Sequence, residues 1–248
     1  MSSFSSHTEI GIPFFFKKKV IFISIILGIG SFLLFAFIPE IDIAVTRYFY
    51  AGNEVNVVIP FPLSQDPYWM RLRKIMLNIP IILAIGMAVL SLFSLPVFSA
   101  FKWRLRLPYR AMLFAIISFI IIVLLIVDQG LKDSLGRVRP DGTLLFGGEY
   151  LFEALGQFPG KCANNCSFVS GEVSSAVWMM LVLPLLFSRF HAVIYSFAIA
   201  FLFTTIYVRV GFGRHFLSDA IFAFFIPHWV MSLFYWLGYR RYKDEKYC

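Results

Sequence analysis

The chain has 248 residues, of which 59% are hydrophobic and 19% aromatic, and its mean hydropathy is +0.79. Only 15% are charged, against about a quarter in water-soluble domains, which excludes a soluble enzyme, a disordered chain and a disulfide scaffold. The net charge of +8 fits basic loop ends beside anionic lipid headgroups, and no basic stripe interleaved with stacking aromatics points to nucleic acid.

A helix that crosses a bilayer needs about 20 mostly apolar residues. Six runs are read as spans, at 20–38, 75–98, 111–127, 173–187, 192–208 and 220–239. The first follows Lys17, Lys18 and Lys19, but it is too long for a secretory signal and leaves through Ile38-Pro39-Glu40 without a small-residue cleavage pattern. It is expected to stay as an uncleaved span. The fourth is short and is expected to borrow residues upstream of Glu172. Pro80, Pro96, Pro184 and Pro227 do not veto helices, because neighbours in a bundle satisfy the freed carbonyls. With no repeat and no linker, the expected fold is all-α, a six-helix transmembrane bundle forming one domain over 1–248. The 39–74 segment, with Tyr48, Phe49, Tyr50 and Trp69, is expected to anchor at the interface without taking part in chemistry.

Placing both termini in the cytoplasm makes Lys and Arg more than twice as dense on the inside as on the outside, as the positive-inside rule requires. The long loops at 39–74 and 128–172 then face outward. So do the three places where ionisable residues gather. The first is Lys132 to Pro140, where Lys132 and Arg139, seven apart, would share one side of a helix that Pro140 ends. The second is Ser167 to Ser175, where backbone N–H groups around Ser170 and Gly171 would open the fourth span as an anion cradle. The third runs from Arg209 to Asp219, with His215 and Asp219 four apart and so expected in contact on one helical face. Singly, such groups are more often membrane anchors or structural residues. Together they describe a phosphoryl site: arginine forks for phosphate oxygens, a lysine point charge, and a histidine oriented by a carboxylate.

Lys-x6-Arg-Pro at 132–140, Ser-Gly-x at 170–172 and Arg-x5-His at 209–215 resemble the three-part signature of type 2 phosphatidic acid phosphatases. The resemblance implies that Lys132, Arg139, Ser170, Gly171 and Arg209 hold the phosphate. It implies too that His215 attacks phosphorus to give a phosphohistidine, assisted by Asp219. The family's second motif normally ends in the histidine that protonates the leaving oxygen, and here Glu172 stands in that place. An acid–base role is expected of Glu172. Orienting water for hydrolysis of the phosphoenzyme is its alternative. The stretch Cys162-Ala163-Asn164-Asn165-Cys166-Ser167-Phe168-Val169-Ser170-Gly171-Glu172 resembles the lipid A 4'-phosphatase branch, as do Gly-Arg-x-Arg-Pro at 136–140, Gly-x-His-Phe-x-Ser-Asp at 213–219 and Pro39-Glu40-Ile41-Asp42.

The branch implies a substrate, lipid A, and a site on the periplasmic face of a bacterial inner membrane. No cofactor and no metal are expected, because lysine and arginine supply the positive charge; no obligate protein partner is evident. Cys162 and Cys166 lie on the outward side, where a disulfide persists. Arg137 and Arg214 flank the motifs, either as holders of a second phosphate or sugar-borne group or as solvated surface. The rivals are the same chemistry on undecaprenyl diphosphate, phosphatidylglycerol phosphate or the lipid A 1-phosphate, a lipid phosphotransferase, and an anion- or lipid-binding membrane protein with no turnover.

Overall fold

The computed structural model describes residues 12–52, 60–93, 109–187 and 191–240. Helix α1 (Lys18–Phe37) is apolar on every side, and Phe22, Ile26, Leu27 and Ile29 remain exposed. That oily surface is tolerable only against lipid. After Pro39 comes a short helix, α2 (Glu40–Tyr48), whose Asp42 and Thr46 turn inward and are fully buried.

Helix α3 (Pro67–Phe93) begins eight residues before the apolar run at 75. Its start is set by capping: the Asp66 carboxylate accepts from the Tyr68 and Trp69 N–H groups at 2.8 and 3.1 Å, and Pro67 takes the first helical position. Arg71, Arg73 and Lys74 therefore belong to the helix. The end expected at 98 lies outside the described residues.

Helix α4 (Tyr109–Phe119) continues as a wider, π-helical stretch (Ile120–Leu131) and closes with the turn α5 (Lys132–Leu135). The third span thus runs past Val127 and carries Asp128 and Lys132. Gly136, at φ +61°, stops it in a left-handed conformation that a side chain would resist. Arg139 consequently sits on extended backbone, not on a helix shared with Lys132.

Helix α6 (Gly171–Leu186) lies at the centre of the bundle, with every residue from Val173 to Val182 buried. Its Trp178 indole donates to the Ala115 carbonyl at 3.0 Å, tying it to α4. Ser170 is extended, so the helix takes only Gly171 from upstream of Glu172. At 16 residues it reaches about 24 Å, short of a bilayer core of about 30 Å. Helices α7 (His191–Gly211) and α8 (Leu217–Phe234, running into a wider turn at Tyr235–Tyr239) complete the bundle. Among the described residues five helical runs are long and apolar enough to cross a membrane, and α6 is a further, shorter apolar helix. The molecule is an all-α, multi-pass membrane bundle, as expected. Among the described residues there is no strand.

Candidate active site

At one end of the bundle α3, α5, α6 and α7 converge with the loops at 136–170 and 212–216 on a cavity of about 490 Å³. Arg73, Lys132, Arg139, Glu172, Arg209 and His215 all line it. Five of these come from the three clusters singled out above; Arg73 does not.

His215 precedes α8 and is buried. Its Nδ1 lies 2.7 Å from the backbone carbonyl oxygen of Ser167. A carbonyl only accepts, so Nδ1 carries the proton and Nε2 keeps its lone pair. Burial, then the charges of Arg209, Arg139 and Lys132, hold the imidazole well below its ordinary value of 6.5. Both causes favour the neutral ring. Arg209 Nη2 stands 3.3 Å from Nε2.

Asp219 is not in hydrogen-bond contact with that ring, lying 4.0 Å from Nδ1. Its carboxylate caps α8 by accepting from the Phe216 N–H at 2.8 Å, and it accepts the Ser167 hydroxyl. Ser167 therefore bridges the two, with its carbonyl on His215 and its hydroxyl on Asp219. The expected direct pair is thus an indirect link through Ser167, the first residue of the second cluster.

Arg137 is neither solvated nor open to a ligand. Its fully buried guanidinium pairs with Asp219 at 2.5 Å and Asp42 at 3.0 Å, donates to Ser218 Oγ and the Glu153 carbonyl, and covers the Phe216 ring at 4.5 Å. This ties the 136–139 segment to α2 and α8. Ser64, Met70 and Arg73 line the cavity, so the 39–74 segment does reach the site, contrary to the anchoring role expected of it.

The remaining cations are only partly matched. Lys132 pairs with Asp128 one turn earlier. Arg139 Nη2 donates to Asn165 Oδ1 at 2.5 Å. Asn165 sits at φ +52° inside the small ring closed by the Cys162–Cys166 disulfide. Glu172 accepts from Arg209 at 3.1 Å and, more closely, from Arg73 at 2.6 Å. Arg214 pairs with Asp141 at 2.6 Å on the half-exposed rim. Of seven buried side-chain polar atoms without a partner among the described residues, two belong to cavity-lining residues, Arg139 Nε and Arg209 Nε, and a third, Ser170 Oγ, is one residue from the lining. Unmet polar atoms beside a cavity mark where an anion fits. At Gly171 a Cβ would come within 2.6 Å of Asp128 Oδ1 and 3.2 Å of Lys132 Nζ, so a side chain here would push the Asp128–Lys132 pair aside.

A second cavity of about 580 Å³ opens beside the first, walled by Leu77, Ile81, Phe119, Val123 and other apolar residues of α3 and α4. Arg73, Lys132, Gly171 and Glu172 line both. A polar chamber and an oily one thus share a wall. Among the described residues no group of three or more metal-ligating side chains occurs.

A histidine beside arginines that keep free Nε donors, inside a membrane bundle, fits one class, the membrane-embedded phosphatases. The chain belongs to the PAP2 superfamily, whose family model matches residues 108–243. It is 30% identical to the lipid A 4'-phosphatase of Rhizobium etli, over 94% of this chain and 92% of that one. Similarity extends to proteins of the same name from Rhizobium leguminosarum (28%, over 81% and 86%) and Francisella tularensis subsp. novicida (26%, over 89% and 96%). No solved structure is significantly similar.

Proposed function

We propose that the protein removes the 4'-phosphate of lipid A by way of a phosphohistidine on His215, at the periplasmic face of a bacterial inner membrane. The observation that carries the chemistry is the His215 Nε2 lone pair, facing a cavity where Arg139 and Arg209 hold unpartnered donors. The adjoining apolar cavity supports a lipid substrate, with acyl chain beside α3 and α4 and phosphorylated headgroup in the polar chamber. Lipid A is favoured by the names of the relatives.

Glu172, displaced from Arg209, takes the proton of the incoming monoester monoanion; Nε2 then attacks phosphorus in line, the bond to the sugar oxygen breaks, and Glu172 passes that proton to the leaving oxygen. Lys132, Arg139, Arg209, the Ser170 hydroxyl and the N–H groups at the start of α6 meet the charge spread over the equatorial oxygens. Water then attacks the phosphohistidine, yields its proton to Glu172 and frees a neutral His215 and phosphate. Asp219 acts through Ser167 to fix the ring, and no step needs a metal.

The test is mass spectrometry of lipid A incubated with the purified protein, beside a free-phosphate assay. Loss of one phosphate from the 4' position with matching phosphate release is expected. Release from another lipid with lipid A untouched would replace the substrate. Transfer to an acceptor lipid without free phosphate would make it a phosphotransferase. No reaction with any lipid phosphate would remove the enzymatic reading.

A further inference from the structure

Glu172 occupies an odd position for an acid–base group. Its carboxylate sits between two arginines, with Arg73 Nη2 at 2.6 Å, Arg73 Nε at 3.2 and 3.3 Å, and Arg209 Nη1 at 3.1 Å. A carboxylate held by arginine forks presents the same acceptor geometry as two oxygens of a phosphoryl group. Arg209 is thus engaged before any substrate arrives, while its Nε and that of Arg139 stay unpartnered. The rest of the neighbourhood offers no substitute anion, since Asp128 is on Lys132, Asp141 on Arg214, and Asp42 and Asp219 on Arg137.

We propose that Glu172 is the empty site's internal counter-anion, resting on Arg209 where a substrate phosphoryl oxygen binds. Arg73 is then the positioning residue that retains Glu172 when the phosphate displaces it. The inference rests on the chamber being a phosphoryl site. Arg73 makes three of the four contacts and comes from α3, a different element from Arg209, so Glu172 can leave Arg209 without losing its partner. Released from one arginine and set beside a phosphoryl group, the carboxyl group stands where the leaving oxygen needs a proton. Because Arg73 lines the wall between the two chambers, it also holds Glu172 at the point where headgroup and acyl chain meet.

The experiment measures binding of inorganic phosphate to the full-length protein in detergent, by calorimetry, in a double-mutant cycle. Glu172→Gln keeps the shape and removes the competing charge, so phosphate should bind about tenfold more tightly than to the parent. Glu172→Ala should move binding in the same direction. Arg73→Gln leaves Glu172 to Arg209 alone and should weaken phosphate binding several-fold, with Arg73→Lys restoring part of it. In the Glu172→Gln background the Arg73→Gln effect should vanish. Equal phosphate affinity in the parent and both Glu172 variants would overturn the counter-anion. An Arg73→Gln loss that persists without Glu172 would make Arg73 a direct phosphate ligand and overturn its positioning role. Phosphate bound by none of the proteins would overturn the phosphoryl site itself and this proposal with it.

Discussion

Arg137 and Arg139 are two residues apart and have opposite fates. Arg137 is completely buried, and its guanidinium meets two carboxylates, a hydroxyl, a carbonyl and an aromatic face. Arg139 lines the cavity with one amide partner and an unpartnered Nε. Ideal extended backbone would send residues two apart to the same side, so the difference lies in the partners each guanidinium meets: Asp42 and Asp219 for Arg137, Asn165 for Arg139. A matched arginine holds the fold together.

Substitutions should separate the two kinds of arginine. On the cavity side, His215→Gln should cut turnover by roughly 10⁴-fold or more while the melting temperature stays near that of the parent; lipid phosphate hydrolysis assays beside thermal melts check it. Arg139→Gln should behave alike in kind, losing about 100-fold in kcat/KM with little change in stability. On the buried side, Arg137→Gln should leave Asp42 and Asp219 unpaired and destabilise the protein by about 3–5 kcal/mol, read as loss of folded yield in detergent. If Arg137→Gln melted normally and failed only in catalysis, the division between the two arginines would collapse.

A smaller effect concerns the Cys162–Cys166 ring, which carries Asn165 under Arg139 and leads directly into Ser167 under His215. Cys162→Ser should cost about 2 kcal/mol in stability and lower kcat several-fold more than it raises KM; steady-state kinetics with and without reductant check it. The smallest effect is on pH. Below pH 6.5 an unfolded histidine takes a proton that the folded site disfavours at His215, so the unfolded chain binds more protons and stability falls as the pH drops. Melting curves between pH 4 and 7 should be flatter for His215→Gln than for the parent.

Much of this architecture was legible because a bilayer leaves few options. Composition alone required apolar helices, and the costly charged residues stood out against them. Lys132, Arg139, Glu172, Arg209 and His215 do meet at one cavity. What spacing could not convey was contact at a distance. Asp42 and Arg137 are 95 residues apart, and Arg73 and Glu172 are 99 apart. Asp42 had a signal, being a carboxylate at the exit of an apolar run, yet nothing local identified its partner. Arg73 looked like one of three basic residues before a span and became a site residue only because Asp66 caps α3 early. Spacing also suggested that His215 and Asp219 touch. The break between Gly211 and Leu217 keeps His215 off the helix that carries Asp219, and the Ser167 loop fills the gap.

The central claim is that His215 Nε2 becomes covalently phosphorylated. The direct measurement incubates the protein with ³²P-labelled lipid phosphate, quenches in alkaline detergent within milliseconds and maps the labelled peptide. An acid-labile label on the peptide containing His215, absent from His215→Gln, is the expected result. Full turnover of the same substrate with no label on that histidine would contradict it.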